Sequence, residues 1–310
     1  MRLCRFQTED QPRIGFYLED SVLPLSLASQ LAGVELEATA DLLPALSCGA
    51  KREQVRKVQL ALSHSSLEKL REMSIPLDRA KLLVPIAHPS KIILLAGNYS
   101  KHIEEGGGKA AEREQTFPYL FMKPPLTTLT NPGEPIRIPD CSPNEIDWEL
   151  ELGVIIGREC KGVSEAEALR YVAGYTVVND ISDRAFHPNA GRVERPNDSF
   201  FDWQHGKWHD TFCPMGPCVL PADETADPQQ LPLKLRVNGH TEQDSTTAQM
   251  IFPVAAIIEF LSRFVTLSPG DVISTGTPSG VGKAKGKFLK AGDVVEAEIG
   301  GIGVLRNPVV

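Results

Sequence analysis

The segment Asp147-Trp148-Glu149-Leu150-Glu151-Leu152 alternates acidic and apolar residues and runs on into Gly153-Val154-Ile155-Ile156-Gly157. Successive side chains of a β-strand point to opposite faces. The spacing therefore predicts one strand over 147–156, with Asp147, Glu149 and Glu151 on one face and Trp148, Leu150 and Leu152 packed on the other. Three carboxylates at the mouth of an apolar strand repel one another and lose hydration, and a hard divalent cation among them would relieve both effects. An edge strand with a charged solvent face is the other reading of the same run. A further acid, Asp180, closes the apolar stretch Gly174-Tyr175-Thr176-Val177-Val178-Asn179. Alone it reads as a turn acid. Joined to Glu149 and Glu151 it makes three oxygen ligands with no His or Cys, a set suited to Mg²⁺, Mn²⁺ or Ca²⁺ rather than zinc. Waters or a bidentate substrate would complete an octahedron.

A second kind of chemistry lies in Asn98-Tyr99-Ser100-Lys101-His102-Ile103-Glu104-Glu105. On a helical turn His102 and Glu105 stand at i and i+3 and can touch. A Glu so placed orients an imidazole and raises its basicity, as needed to activate water or move a carbon-bound proton; an incidental surface pair is the alternative. Lone cations follow. Lys123 ends the apolar run Tyr119-Leu120-Phe121-Met122, and Lys207 lies in His205-Gly206-Lys207-Trp208-His209. Either would serve to bind a carboxylate or stabilise an enolate. Arg184, four residues after Asp180, is placed to clamp a substrate carboxylate. Each of the three also reads as an ordinary surface cation. Ser274-Thr275-Gly276-Thr277-Pro278-Ser279-Gly280-Val281-Gly282 offers hydroxyls and backbone N–H groups in one turn, a generic anion cradle or a plain Gly/Pro turn. No phosphate-binding Gly-Lys-Ser loop and no strand–GxGxxG–helix unit is found.

The elements that must position these residues are mostly short strands. Between Pro and Gly punctuation, apolar runs predict strands at 91–96, 119–123, 134–138, 147–156, 174–179, 216–220, 232–237, 271–275, 293–299 and 302–306. Helical periods are few: 164–172, 253–264 and a short one at 99–105. Residues 1 to about 20 predict a hairpin turning through Asp10-Gln11-Pro12-Arg13, and residues 24–74 carry helical periods that include Val55, Val58, Leu62, Leu67 and Leu70. The chain thus divides into a small N-terminal α+β domain, 1–84, and a β-rich domain, 85–310, of α+β class with a roll or sandwich core rather than a doubly wound sheet. The charged segment 101–116, with Gly106-Gly107-Gly108, reads as a lid.

The 310 residues are 42% hydrophobic and 23% charged with a net charge of −8, which gives no support to a nucleic-acid or anionic-membrane partner. No apolar run approaches a membrane span, and the N-terminal residues resemble neither a secretory signal nor a mitochondrial presequence. Six cysteines without Cys-x-x-Cys spacing read as free thiols of a cytoplasmic protein.

Taken together and in order, Gly97-Asn98-Tyr99 with His102, Phe121-Met122-Lys123-Pro124, Asp147-Trp148-Glu149 with Glu151-Leu152, Gly174-Tyr175-Thr176 with Asn179-Asp180, Ser182 and Arg184, Asp210 to Pro217, Gln249 to Phe252 and Gly270 to Gly282 resemble the fumarylacetoacetate hydrolase family over about residues 85–310. The small N-terminal region is similar to that of its longer, domain-containing-protein-2-like members. The resemblance implies a mixed β-roll or sandwich catalytic domain, a homodimer and a Mg²⁺ or Mn²⁺ site, with Ca²⁺ as a substitute. It implies Glu149, Glu151 and Asp180 as metal ligands, with Asp147 behind them. His102 and Glu105 would form a catalytic dyad on the lid, and Lys207 would stabilise a developing carbanion or enolate. Lys123, Arg184 and Thr277 would lie on the substrate side. The stretch Arg184-Ala185-Phe186-His187 departs from the pattern: Ala185 replaces an acid, and His187 stands about where a substrate-binding Gln is usual. The segment 187–203 also looks longer than in most members.

The expected substrate is a small 2-oxo or dicarbonyl acid. The expected reaction is metal-dependent C–C hydrolysis of an acylpyruvate through an enolate. Decarboxylation of oxaloacetate and keto–enol isomerisation share that enolate and stand as alternatives. A catalytically idle metal-binding relative and a plain β-rich structural protein are the readings from other classes.

Overall fold

The computed structural model describes residues 1–9, 11–37 and 39–310. Its centre is a mixed sheet of twelve strands. The path runs Ile75–Pro76, Ser21–Pro24, Pro12–Tyr17, Leu3–Gln7, Cys213–Pro221, Val172–Asn179, Leu150–Ile156, Val272–Ser274, Ile92–Ala96 and Tyr119–Met122. Strands Lys81–Leu83 and Leu129–Thr130 join it from the side. A four-stranded sheet, His240–Thr246, Pro232–Val237, Val294–Ile299 and Gly303–Pro308, and the helix Val254–Phe264 complete the β-rich part. The fold is strand-rich and mixed, in agreement with the α+β roll-like class expected. No helix among the described residues is long and apolar enough to cross a membrane.

The central strands are buried on both faces, and their side chains alternate between two apolar clusters as a two-residue period requires. Val154, Ile156 and Val177 belong to one cluster, with Ile257, Leu261 and Val295. Ile155 and Val178 belong to the other, with Phe16, Val55, Val58 and Leu70 from the N-terminal segment. That segment holds the expected hairpin, Leu3–Gln7 against Pro12–Tyr17, and the helices Leu25–Ala32, Leu43–Leu46, Ala50–Leu62 and Leu67–Glu72. Asp10 of the expected turn lies outside the described residues. The segment enters the central sheet at Leu3, paired with Val219, and its buried Arg52 reaches Asp223 and Glu224.

Several elements differ from the sequence reading. The strand expected over 147–156 is interrupted: Ile146–Asp147 pairs with Ser182–Asp183 in a separate two-stranded sheet, and Leu150–Ile156 begins anew. Around Trp148 and Glu149 the side chains of Asp147 and Asn179 take up backbone N–H groups that a ladder would otherwise use. Residues 134–138 make only an isolated bridge, Ile136 to Val309, rather than a strand. The helix expected at 164–172 shortens to Glu165–Ala168 followed by a 3₁₀ turn, Leu169–Tyr171. Elements outside the expectations include the strand His240–Thr246, whose polar sequence carries no apolar alternation, the helix Asp198–His205, the short strands Leu129–Thr130 and Ser182–Asp183, and the one-turn helix Gly282–Lys285.

Candidate active site

Antiparallel pairing brings the acids together. Strand Leu150–Ile156 runs against Val172–Asn179 with Leu150 opposite Asn179, so the start of one meets the end of the other. Glu149 and Asp180 flank that pair, and the Asp180 N–H donates to the Glu149 carbonyl at 2.8 Å. Carboxylate oxygens of Glu149, Glu151 and Asp180 lie within 4.8 Å of one another, and all three residues are buried. Asp147 turns away from this group. Its carboxylate accepts from the backbone N–H groups of Trp148, Gly282 and Lys283 and from Arg184 Nε at 3.0 Å.

Three cations face these four carboxylates. Lys207 Nζ donates to Glu149 Oε2 at 2.8 Å, Asp180 Oδ2 at 2.5 Å and Ser182 Oγ at 2.9 Å. Its ammonium also lies over the rings of Phe121 and Trp203. Arg184 spans Asp147 and Glu149. Lys123 Nζ, fully buried, donates to the carbonyls of Ile181 and Phe212 and stands 2.6 Å from Asp180 Oδ1. That last approach is not aligned as a hydrogen bond, so Asp180 Oδ1 is a buried oxygen with no hydrogen-bond partner.

The electrostatics separate the acids. Burial pushes Glu149 up, but Lys207 and Arg184 outweigh it and hold its carboxyl well below the usual range. Burial and the neighbouring charges of Asp180 and Glu149 push Glu151 well above it. Burial also raises Asp147 against the pull of Arg184. Burial disfavours the charges of Lys207 and Arg184, yet their carboxylate partners prevail and raise both. Three clustered, buried carboxylates in an all-oxygen set, one of them driven to hold its proton, fit a hard divalent cation.

The remaining expected residues fall around this group. Short helix Ser100–Glu105 places His102 Nδ1 2.8 Å from Glu105 Oε1, and the Glu105 carboxylate accepts the Gly280 N–H at 2.9 Å through Oε2. Gly280 has φ +104° and approaches the Glu242 carbonyl so closely that a Cβ would sit 2.2 Å from it, so only glycine fits there. Thr277 Oγ1 donates to the Leu150 carbonyl and accepts from Gln243 Nε2. His187 stands off from the acids: its Nδ1 is 3.1 Å from Asp202, and it lines a cavity of about 310 Å³ with Arg184, Phe186, Trp203 and Lys283. The segment 187–203 folds back through Arg192, which pairs with Asp198 and Asp202. In the expected lid, Arg113 pairs with Glu165.

Some supporting residues had no signal in the sequence. Gln243, on the unforeseen strand, accepts the Leu150 N–H and donates to Thr277 and the Pro278 carbonyl. Glu151 Oε2 accepts from Ser274 Oγ and the Gly276 N–H. Asn98 ties the strand end to Phe252 and Thr275. Asn98 and Ser274 lie in the motifs quoted above, but nothing in their spacing shows whom they touch.

A family model described as fumarylacetoacetate (FAA) hydrolase C-terminal matches residues 91–310. An oxaloacetate tautomerase of Xenopus laevis, named as mitochondrial, is 38% identical over 100% of this chain and 90% of its own length. A 2,4-didehydro-3-deoxy-L-rhamnonate hydrolase of Sphingomonas sp. (strain SKA58) is 37% identical over 100% and 96%. Among solved structures, maleylpyruvate hydrolase from Sphingobium sp. SYK-6, in complex with manganese(II) ion and pyruvate, is similar with a TM-score of 0.72 and 28% identity, covering 100% of this chain and 99% of that one.

Proposed function

From the premise that this chain belongs to the fumarylacetoacetate hydrolase family, we propose that it is a divalent-metal-dependent C–C hydrolase of an acylpyruvate-type 2-oxo acid. The observation that carries this reading is the buried group Glu149, Glu151 and Asp180 beside the His102–Glu105 pair. Glu149, Glu151 and Asp180 would hold Mg²⁺ or Mn²⁺; the solved relative bound to manganese(II) and pyruvate supports that choice of ion and ligand class. When bound, the ion would polarise the 2-oxo carbonyl and offset the negative charge that builds on its oxygen.

The chain's own residues do the rest. The Glu105 carboxylate accepts from His102 Nδ1, which leaves Nε2 free to take a proton from water or from a substrate carbon. With an ion among the acids, Lys207 would lose its bonds to Glu149 and Asp180, and its ammonium would be free to stabilise the developing enolate. Arg184 and His187 border the cavity and receive the substrate carboxylate. Lys123 steadies Asp180, and Thr277 steadies the turn that closes the substrate space. The exposed rings of Phe200, Phe201 and Trp208 support a homodimer.

The similarity to an oxaloacetate tautomerase over the whole chain favours a second reading, in which His102 shuttles a proton at the carbon next to the ketone and no C–C bond breaks. The test is chelator-stripped protein with Mg²⁺ or Mn²⁺ restored, given acylpyruvates and oxaloacetate in parallel. Pyruvate released from an acylpyruvate supports hydrolysis. Enol–keto exchange of oxaloacetate without a new product supports the tautomerase reading. Turnover that persists at full rate without metal refutes both.

A further inference from the structure

Lys283 borders the cavity of about 310 Å³ whose wall also takes in Asp183, Arg184, His187 and Asp202. Its backbone is pinned there. The Lys283 N–H donates to Asp147 Oδ2 at 3.0 Å, and Arg184 Nε donates to the same oxygen at 3.0 Å. Arg184 in turn reaches Glu149. One carboxylate oxygen thus sets Lys283 beside the arginine that joins the cavity to the acidic group. The residue before it, Gly282, has no room for a side chain: a Cβ would sit 2.1 Å from the Lys287 carbonyl oxygen.

The charged groups on the cavity wall are already engaged, with one exception. Asp202 pairs with Arg192 and His187. Asp183 accepts the Ala185 N–H at 3.0 Å and meets His209 at 3.2 Å. Arg184 lies between Asp147 and Glu149. Lys283 is exposed. Among the described residues its ammonium has neither an ion-pair nor a hydrogen-bond partner, and only its backbone N–H is taken up by a side chain. A cavity of this size has room for about ten waters, and so for an acyl chain that ends in a carboxylate. A neutral end would leave the ammonium to water, whereas a carboxylate gains a charge-assisted bond at a cation no protein acid has taken.

We infer that Lys283 is a specificity-determining residue: its ammonium receives a second carboxylate, at the end of the 2-oxo acid remote from Glu149, Glu151 and Asp180. This rests on the 2-oxo acid reading above and narrows it to acids with a carboxylate at each end.

The test compares 2-oxoglutarate with 2-oxopentanoate, which share a carbon chain and differ by a terminal carboxylate in place of a methyl. Neither is a β-dicarbonyl that could be cleaved, so calorimetry with Mn²⁺ present reads binding to the full chain. The parent is expected to bind 2-oxoglutarate about fivefold more tightly, the scale of an exposed ion pair. Lys283→Gln should remove that preference by weakening 2-oxoglutarate alone, and Lys283→Glu should reverse it. Equal affinities in the parent, or a preference that survives Lys283→Gln, overturn the inference. Equal losses for both acids in Lys283→Gln also overturn it, because they give the residue a structural role. A parent that binds neither acid overturns the 2-oxo acid reading itself, and this is seen without any variant.

Discussion

Replacing Glu105 by Gln should damage the enzyme more than replacing it by Ala. In the parent, the Glu105 carboxylate can only accept, so the hydrogen lies on His102 Nδ1, 2.8 Å from Oε1, and Nε2 keeps its lone pair. The same carboxylate accepts the Gly280 N–H at 2.9 Å. The Gly280 N–H is 2.9 Å from Oε2 and 3.1 Å from Oε1, so in Glu105→Gln the amide oxygen serves it better from the Oε2 position, which turns the amide NH₂ toward Nδ1. The NH₂ donates, the imidazole hydrogen moves to Nε2, and the base is lost in that arrangement. Reversing the amide would set NH₂ against N–H and forfeit a bond of about 1 kcal/mol. A bias of about 1 kcal/mol leaves the productive tautomer about one part in six, so the expected loss in kcat/KM is about fivefold. Glu105→Ala leaves the ring free to adopt either tautomer, so the tautomer costs it only about twofold. Both variants should keep their affinity for Mn²⁺, because Glu105 is not among the three clustered acids. Steady-state kinetics of parent and both variants at saturating Mn²⁺ give the comparison. Equal or greater activity in Glu105→Gln than in Glu105→Ala would refute the tautomer argument.

Glu149→Ala should abolish metal-dependent turnover and weaken Mn²⁺ binding; turnover at the parental rate would sink the site assignment. Glu151 is held protonated above its ordinary value of 4.5, so the stability it contributes is complete below pH 4.5 and drains away as pH rises toward its folded value. Urea melts of the chelated protein should therefore show a decline above pH 4.5 that is reduced in Glu151→Gln, whose amide oxygen can still accept from Ser274 and Gly276; identical pH slopes would contradict this. Glu149 has the opposite sign, its contribution being present above its ordinary 4.5 and lost only as pH falls below it. Lys207→Met strips the buried Glu149 and Asp180 of a shared cation. The chelated variant should lose about 3 kcal/mol, and Mn²⁺ should raise its thermal midpoint more than that of the parent. An equal rise in both would mean that Lys207 does not compete with the ion.

Much of the candidate site's local arrangement was legible in residue types and short spacings. His102 and Glu105 are three residues apart on a predicted helical turn, and a helix of 3.6 residues per turn brings such pairs into contact whatever the rest of the chain does. Glu149 and Glu151 are two apart in an apolar run, which a strand places on one face. The fold class followed from many short apolar runs between Pro and Gly. The strand break at Trp148 and Glu149 was not legible, because it depends on Asp147 and Asn179 capturing backbone N–H groups. Strand His240–Thr246 was invisible for a similar reason: it is held by its neighbour's ladder rather than by an apolar face of its own.

Which groups are acids, bases and cations, and which near neighbours share a face, is carried by residue type and by the local period. It takes the folded chain to bring Asp180 to Glu149 and Glu151, Lys207 among them, Arg184 across Asp147 and Glu149, and Gly280 to Glu105. Those contacts join segments tens of residues apart, and strand register and sheet order, which no local period encodes, set their distances and so the charges they can bear.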